Sequence, residues 1–231
     1  MPSMLAPHLP SGRIRGVTAV AEAGCKRLEA RELACVRGDR RLFADISFSL
    51  GAGELLHVAG PNGSGKTTLL RMVCGLVRPV RGEVRWGGRP IGRLGEEYLR
   101  RVTHVGHANA IKDDLTCREN LLVSTTLSGA PADPGRLRMA LERMGLSGVE
   151  ALPTKLLSQG QKRRLALARL PLADTPLWIL DEPFTALDSG AVKAIRSMLE
   201  EHLDRGGMVV LTTHQDVPVD ARVRKRLEMH P

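Results

Sequence analysis

The segment GPNGSGKT at residues 60–67 has the composition and spacing of a loop that binds phosphate groups. Its glycines allow backbone N–H groups to surround the phosphates, Lys66 can neutralise β- and γ-phosphate charge, and the Thr67 hydroxyl can bind Mg²⁺. An apolar strand pattern, LLHVA, precedes the loop and a helical pattern, TTLLRMV, follows it, as this motif requires. A glycine-rich turn without a ligand would not explain Lys followed by Thr at this offset. The expected phosphate-binding residues are Gly60, Pro61, Asn62, Gly63, Ser64, Gly65, Lys66, Thr67 and Thr68.

Two acidic residues follow a second apolar segment, LWIL, at residues 177–180. Alone, Asp181 and Glu182 could be a solvated strand end or a helix cap. Next to a phosphate-binding loop, we expect Asp181 to hold the metal with its water shell and Glu182 to act as the base for the attacking water. The later segment VVLTTHQ places His214 at the carboxyl edge of a parallel sheet, where ligands bind in such folds, although a lone histidine there is often inert.

The segment SQGQ at residues 158–161 precedes a leucine-rich helical pattern. Ser158 and Gln161 have the spacing of a capping box, in which each side chain bonds a backbone N–H of the helix start. Gly160 is harder to explain, because glycine in the first helical turn costs about 1 kcal/mol relative to alanine. A helix N-terminus without side chains in the way is an anion site, so we expect Gly160 to expose the backbone to an anion.

Composition limits the possible classes of protein. The chain has 231 residues with 42% hydrophobic content, which is enough for one large domain or a core with a small subdomain. No apolar stretch approaches the roughly eighteen residues that span a bilayer. The net charge of +9 is compatible with nucleic acid, an anionic membrane surface or phosphate-rich ligands, but aromatic residues make up only 3%. We therefore expect no nucleic-acid partner. The four cysteines lack CxxC spacing, which argues against zinc and disulfides and favours a reducing compartment.

The elements that must position these residues follow from the hydrophobic pattern. Residues 1–27 lack periodicity and are predicted to be a poorly ordered extension. They are faintly similar to a transit peptide, but an upstream start codon is the simpler explanation and the one we favour. Residues 28–48 and 82–91 predict two β-hairpins, hence an antiparallel layer. Residues 136–170 are predicted to be wholly helical. In the last third, strands alternate with a helix over residues 191–203, which indicates a parallel sheet covered by helices.

Taken together, the motifs resemble the ATP-binding cassette (ABC) ATPases from about residue 28 to the C-terminus. GPNGSGKTT matches the Walker A motif, LSQGQ the signature sequence, LWILDE Walker B, ALD with Asp188 the D-loop, and TTHQ with His214 the switch histidine. The resemblance implies an α/β P-loop NTPase domain with a parallel core sheet, an antiparallel β layer and a small helical subdomain at about 96–172. It also implies ATP and Mg²⁺ as ligands. In the head-to-tail dimer of the family, the signature residues contact the partner's ATP, and here these are Ser158, Gln159, Gly160 and Gln161.

Two positions depart from the pattern of the family. Arg37 stands where an aromatic ring usually stacks on adenine, so we expect weak base discrimination, with Phe43 the next candidate for a base contact. The glutamine of the Q-loop is replaced by His107 or Ala108, and of these only His107 could contact Mg²⁺ or hold a water.

Within the family, the chain is most similar to the ATP-binding subunits of the cytochrome c maturation system, through RELACVRGDRRLF, the segment from Gly106 to Leu121 and LSQGQKRRLALARL. This implies an ATPase that powers integral membrane subunits of a haem-handling complex from the cytoplasmic face of a bacterial inner membrane. The alternatives are the ATPase of a lipid or drug exporter and a soluble ABC protein of DNA repair or translation. The soluble proteins usually carry a long coiled-coil insertion or two cassettes, and neither occurs in this sequence.

Overall fold

The structure, a computed structural model, describes residues 27–131, 133–215 and 218–230. The predicted N-terminal extension and Cys25 thus lie outside the described residues, apart from Arg27. The strands of the described residues are β1 (Leu28–Arg37), β2 (Arg40–Leu50), β3 (Glu54–Ala59), β4 (Arg81–Trp86), β5 (Arg89–Pro90), β6 (Val102–Val105), β7 (Leu177–Asp181), β8 (Met208–Thr212) and β9 (Val223–Glu228). The α-helices are α1 (Lys66–Val73), α2 (Ile91–Leu94), α3 (Glu96–Leu99), α4 (Cys117–Leu127), α5 (Pro134–Arg143), α6 (Gln159–Ala168) and α7 (Ser189–Asp204).

The strands form two sheets, as the sequence predicts. The antiparallel sheet has the order β2-β1-β4-β5 and contains both predicted hairpins. The second sheet has the order β6-β7-β8-β3-β9, and all its neighbouring strands run parallel. Its edge strand β9 pairs with β3 over six residues and has no counterpart among the sequence predictions. These two sheets with their helices confirm the predicted α/β architecture.

Alternation along the parallel strands builds two hydrophobic cores. In β7, Leu177 and Ile179 join the core that contains the antiparallel sheet and α1, whereas Trp178 and Leu180 join the core that contains α4 to α7. The residues of β8 divide in the same way. Because successive side chains of a strand point to opposite faces, one apolar strand can serve both cores. The strand is thereby buried on both sides, and its carboxyl end is held rigidly.

The prediction of a wholly helical region over 136–170 is wrong. Helix α5 ends at Arg143, and the backbone returns to helix only in a short 3₁₀ turn, Thr154–Leu156, before α6 begins at Gln159. Between them Pro153 bridges Thr116 in a β-type pair. Glycine at positions 145 and 148, both with positive φ, and proline at 153 account for the interruption, because neither residue type favours a helix interior.

The predicted subdomain range 96–172 contains α4, α5 and α6, but also β6, which pairs with β7 in the parallel sheet. The boundaries of the subdomain stay a prediction. Among the described residues, no helix is both long and apolar enough to cross a bilayer. Cys35, Cys74 and Cys117 are buried free thiols, and burial raises the pKa of Cys74 to about 12. They behave as small apolar core residues.

Candidate functional site

The loop at residues 60–65 connects β3 to α1 at the carboxyl edge of the parallel sheet. Gly65 precedes α1 with φ of 95°, in the left-handed region that favours glycine. A Cβ at this position would lie 2.9 Å from the ring of Phe43, which is 7% exposed beneath the loop. Gly65 therefore lets the loop lie directly on the core. Phe43 supports the loop from below and is not free to stack on a base.

Lys66 is the first residue of α1, and its ammonium group is held by the loop itself. The Nζ atom donates to the carbonyl oxygens of Gly60 at 2.7 Å and Pro61 at 3.0 Å. The carbonyls that bind Lys66 belong to the segment that the sequence assigns to phosphate binding. The charge is thus held at the mouth of the loop, where a phosphate group can exchange for the carbonyls.

Asp181 ends β7 and is 3% exposed. Its two carboxylate oxygens accept hydrogen bonds from two hydroxyl groups, Thr67 Oγ1 at 2.8 Å and Thr212 Oγ1 at 2.7 Å. Thr67 belongs to α1 and Thr212 ends β8, directly opposite Asp181 in the strand register. Three elements therefore meet at this carboxylate, and the sequence-predicted pair of Thr67 and Asp181 lies within hydrogen-bond distance.

Glu182 follows Asp181 in a backbone conformation with φ of 51°, which is uncommon for a residue with a Cβ. Its N–H donates to Thr212 Oγ1 at 2.9 Å, and its side chain is 16% exposed. The N–H of His214 donates to Glu182 Oε2 at 3.3 Å, and His214 Nε2 lies 3.4 Å from Glu182 Oε1. The Oε1 atom of Glu182 is buried and accepts no hydrogen bond. Its contact with the imidazole of His214 meets the distance of an ion pair but is not a hydrogen bond. Oε1 is thus a buried acceptor without a hydrogen-bond donor, next to the His214 ring.

These residues line one cleft of about 460 Å³. Its lining combines expected phosphate-binding, metal and base residues with residues of the hairpin β1–β2 and of the loop after β6: Arg37, Leu42, Asn62, Gly63, Gly65, Lys66, Thr67, Thr68, His107, Asp181, Glu182, Thr185 and His214. Gly60, Pro61 and Ser64 are not part of the lining, although Ser64 has a buried hydroxyl without a partner. Arg37 and His107 reach the cleft, whereas Ala108 does not.

The signature residues lie apart from this cleft. The predicted capping box of α6 is confirmed: Ser158 Oγ accepts from the N–H of Gln161 at 3.2 Å, and the N–H of Ser158 donates to Gln161 Oε1 at 2.9 Å. Gln159 is exposed and Gly160 is half-buried. None of these four residues lines the cleft, and neither does Asp188, which caps α7 through the N–H of Ala191 at 2.8 Å.

Gly160 also has a packing reason that the sequence does not indicate. A Cβ at this position would lie 2.9 Å from the carbonyl oxygen of Ala186, in the segment that leads to Asp188. Ala186 itself has φ of 61°. The bare backbone of Gly160 is therefore required within the chain, in addition to any contact with an anion.

Two residues that hold the backbone around Asp181 and Glu182 were absent from the sequence predictions. Thr212 connects Asp181 to the N–H of Glu182, and Arg163 of α6 bonds the carbonyl oxygens of Asp181 and Glu182, each at 2.8 Å. Thr212 could have been found from the sequence, because TTHQ follows a strand predicted to end at the same edge as LWILDE. No comparable signal distinguishes Arg163 from its neighbours in KRR.

The chemistry of the site suits Mg²⁺ bound together with phosphates. Thr67 supplies a hydroxyl and Asp181 a carboxylate, both oxygen ligands, and Mg²⁺ commonly binds one or two such groups while keeping several waters. Within the described residues no cluster of three or more His, Cys, Asp or Glu could hold a metal alone. The donor set therefore fits an ion that arrives with the nucleotide.

Comparison with known proteins agrees with this geometry. A model of the ABC transporter family matches residues 43–185. The chain is 52% identical over 202 residues to the cytochrome c biogenesis ATP-binding export protein CcmA of Nitrosospira multiformis, covering 87% of this chain and 98% of that protein. A putative ABC transporter ATP-binding protein from Pyrococcus furiosus has a similar fold, with a TM-score of 0.75 and 24% identity over 87% of this chain and 97% of that one. A dimeric ATP-binding cassette in a post-hydrolysis state, bound to ADP and Pi, aligns with a TM-score of 0.72 and 25% identity over 81% of this chain and 88% of that one.

Proposed function

The chain belongs to the ABC transporter family, and from this premise we propose that it is the ATP-hydrolysing subunit of an export complex for cytochrome c biogenesis. Its substrate is ATP, bound with Mg²⁺. The observation that carries the chemical part is the meeting of Lys66, Asp181 and Glu182 in one cleft, with an unpaired carboxylate oxygen on Glu182. The biological part is supported by the 52% identical export protein, of which 98% is covered.

Each residue of the cleft has a distinct task in this reaction. Loop N–H groups and Lys66 bind the phosphates, and Thr67 together with Asp181 would hold Mg²⁺. The ion, when bound, neutralises charge on the β- and γ-phosphates. Glu182 accepts the proton of the attacking water at Oε1. We propose that His214, which lies next to that carboxylate, orients it and contacts the γ-phosphate, and that His107 holds a water of the metal shell.

We propose that a second copy of the chain completes the site. Ser158 and Gln159 at the start of α6 are exposed and stand outside the chain's own cleft, which supports contact between the α6 N-terminus and another molecule's phosphate. The post-hydrolysis cassette bound to ADP and Pi is dimeric, which supports a head-to-tail pair here. In that pair Ser158, Gln159, Gly160 and Gln161 contact the partner's ATP, and Asp188 lies at the interface.

The membrane partners are proposed from the similarity to the export protein CcmA. The chain would bind integral membrane subunits of the haem-handling maturation complex as a peripheral subunit at the cytoplasmic face of the bacterial inner membrane. Closure of the two cassettes around ATP would then power the activity of those membrane subunits.

Glu182→Gln tests the chemical part. This variant keeps Lys66, Thr67 and Asp181, so MgATP binding should persist, whereas turnover should fall at least about a hundredfold because the base is removed. Lys66→Ala is the matched control, in which nucleotide binding itself should weaken. Turnover of Glu182→Gln close to that of the wild type would remove Glu182 from the mechanism.

Co-purification tests the biological part. The tagged chain should carry cytochrome c maturation proteins from detergent-solubilised membranes, and Glu182→Gln should retain them. Membrane subunits of a lipid or drug exporter in their place would refute the assignment to cytochrome c biogenesis while leaving ATP hydrolysis intact.

A further inference from the structure

Arg163 lies in the second turn of α6 and is 5% exposed. Its guanidinium donates four hydrogen bonds to two other segments of the chain, residues 106–109 and residues 181–182. Nη1 donates to the carbonyl oxygen of Gly106 at 2.9 Å and to Asn109 Oδ1 at 3.2 Å. Nη2 donates to the carbonyl oxygens of Asp181 and Glu182, both at 2.8 Å. One buried side chain therefore joins α6, the loop that contains His107 and the end of β7.

The contact with Glu182 matters because the backbone of this residue is in the left-handed region. A residue with a Cβ stays in this conformation only when its surroundings hold it there. Three hydrogen bonds do so: Arg163 donates to the carbonyl oxygen at 2.8 Å, the N–H of Thr185 donates to the same oxygen at 3.3 Å, and Thr212 accepts from the N–H. Arg163 thus helps to determine where the Glu182 carboxylate points.

The N-terminus of α6, about one turn before Arg163, carries the capping box of Ser158 and Gln161. Arg163 stands five residues after Ser158 on the same short helix, so a movement of the helix N-terminus moves the guanidinium as well. Burial lowers the pKa of Arg163, but the group remains charged because the ordinary value for arginine is far above neutrality. A planar guanidinium with several fixed donors transmits orientation better than a single ammonium group.

We propose that Arg163 is a positioning residue that links the N-terminus of α6 to Glu182 of the same chain. This inference rests on the proposed function. In a head-to-tail pair, the α6 N-terminus contacts the partner's ATP, whereas Glu182 acts on the ATP of its own chain. Arg163 therefore connects the two composite sites: a phosphate bound at α6 in one site fixes the base in the other.

The test separates turnover from binding. Arg163→Met removes all donors at similar length, and turnover at saturating MgATP should fall about a hundredfold, the scale expected when a reacting group moves by about 1 Å. The nucleotide Kd, measured with a fluorescent ATP analogue, should change less than about threefold, because the phosphate-binding loop is untouched. Arg163→Lys keeps the charge with one donor group and should restore part of the turnover.

Arg169 provides the matched control. It is a half-buried arginine that follows the last residue of the same helix and donates to the carbonyl oxygen of His104, and among the described residues it has no hydrogen bond or ion pair with Glu182. Arg169→Met should lower thermal stability with turnover per folded molecule nearly unchanged. Equal losses of turnover per folded molecule in Arg163→Met and Arg169→Met would overturn the proposal, as would a loss of nucleotide affinity that accounts for the whole effect.

Asn109→Ala covers the case in which Arg163→Met does not fold. It removes one acceptor of Arg163 at a half-buried position. Turnover should fall several-fold, and the double variant with Arg163→Lys should lose less than the product of the two single losses, because both changes act on one network. Independent, multiplying losses would refute the link. A wild-type protein without ATP hydrolysis would instead refute the proposed function itself.

Discussion

Gly160 allows the role of α6 toward a partner to be separated from its role within the chain. A side chain at this position meets the carbonyl oxygen of Ala186 at a Cβ distance of 2.9 Å. Gly160→Ala therefore carries an overpacking cost of about 1–3 kcal/mol. The higher helix propensity of alanine offsets about 1 kcal/mol of that cost. We expect Gly160→Ala to lower the free energy of unfolding by about 0–2 kcal/mol.

Gly160→Asp has the same Cβ and adds a carboxylate at the helix N-terminus. Within one chain this charge is favourable by about 0.3–1 kcal/mol, because it faces the positive end of the helix dipole. Against the γ-phosphate of a partner's ATP it is unfavourable, by about 4 kcal/mol for two unit charges about 4 Å apart at an effective dielectric constant of about 20. Repulsion of this size corresponds to a factor of about a thousand in the dimerisation constant for each of the two composite sites. The two variants should therefore be similar in stability and differ strongly in ATP-driven dimerisation.

Urea denaturation and analytical ultracentrifugation measure the two effects separately. Dimerisation is followed with MgATP in a Glu182→Gln background, where hydrolysis is blocked, and the steady-state ATPase is measured in the wild-type background. We expect the alanine variant to form the dimer and the aspartate variant to remain monomeric with ATP bound. Equal ATPase activity in Gly160→Asp and Gly160→Ala would refute the contact with a partner's phosphate and leave the close approach to Ala186 as the reason for the glycine.

Three further predictions follow from single side chains. Thr212→Val should lower the free energy of unfolding by about 1–3 kcal/mol and reduce ATPase activity, because it leaves the N–H of Glu182 and one oxygen of Asp181 without their partner. Thr212→Ser keeps the hydroxyl and should restore both quantities. Urea denaturation measures the stability, and phosphate release measures the activity. ATP and GTP should bind with Kd values within about tenfold of each other in competition titrations, since Arg37 stands in the cleft where a stacking ring is expected, and a ring contributes about 0.5–1.5 kcal/mol; a stronger preference would mean that another contact reads the base. Burial is the main reason that the pKa of His202 is lowered to about 4, so the neutral imidazole is favoured in the folded protein. Its contribution to the free energy of unfolding is therefore complete above its unfolded pKa of 6.5 and is lost as the pH falls toward 4, by about 3 kcal/mol in total. In urea titrations over this pH range His202→Phe should lose correspondingly less stability than the wild type, and an identical loss would refute the role of His202.

Features that depend on near neighbours in the chain could be predicted from the sequence. The capping box of Ser158 and Gln161 joins residues three apart, so their identities suffice to predict both hydrogen bonds. The phosphate-binding loop likewise depends on a strand, a glycine-rich turn and a helix in immediate succession. Alternation and apolar runs predicted both hairpins and the parallel strands LWIL and MVVLTT, because these patterns reflect which faces are buried.

Patterns failed where the side-chain composition and the backbone conformation point to different structures. Strand β9 contains four charged residues in six, typical of an exposed segment, yet its backbone pairs with β3 at the sheet edge. Charged side chains are common on such edges because they discourage pairing with other chains. The interruption between α5 and α6 was missed because leucine and methionine recur through it at nearly helical spacing, while the glycines and Pro153 decide the backbone.

The sequence alone therefore determined which acids stand at the end of the strand and which residues cap α6, and it predicted the loop that we propose binds phosphate, since each depends on bonds or patterns that are local. Only the tertiary structure decided that Arg163 bonds residues 18 and 57 positions away, that Thr212 joins Asp181 to Glu182 across two strands, and that Gly160 touches the backbone of Ala186. The physical reason is that these contacts arise where separate elements pack. The role of a guanidinium or of a missing Cβ depends on the backbone atoms that the fold brings within about 3 Å. Those atoms belong to distant residues, so the neighbouring residues in the sequence do not predict the contact.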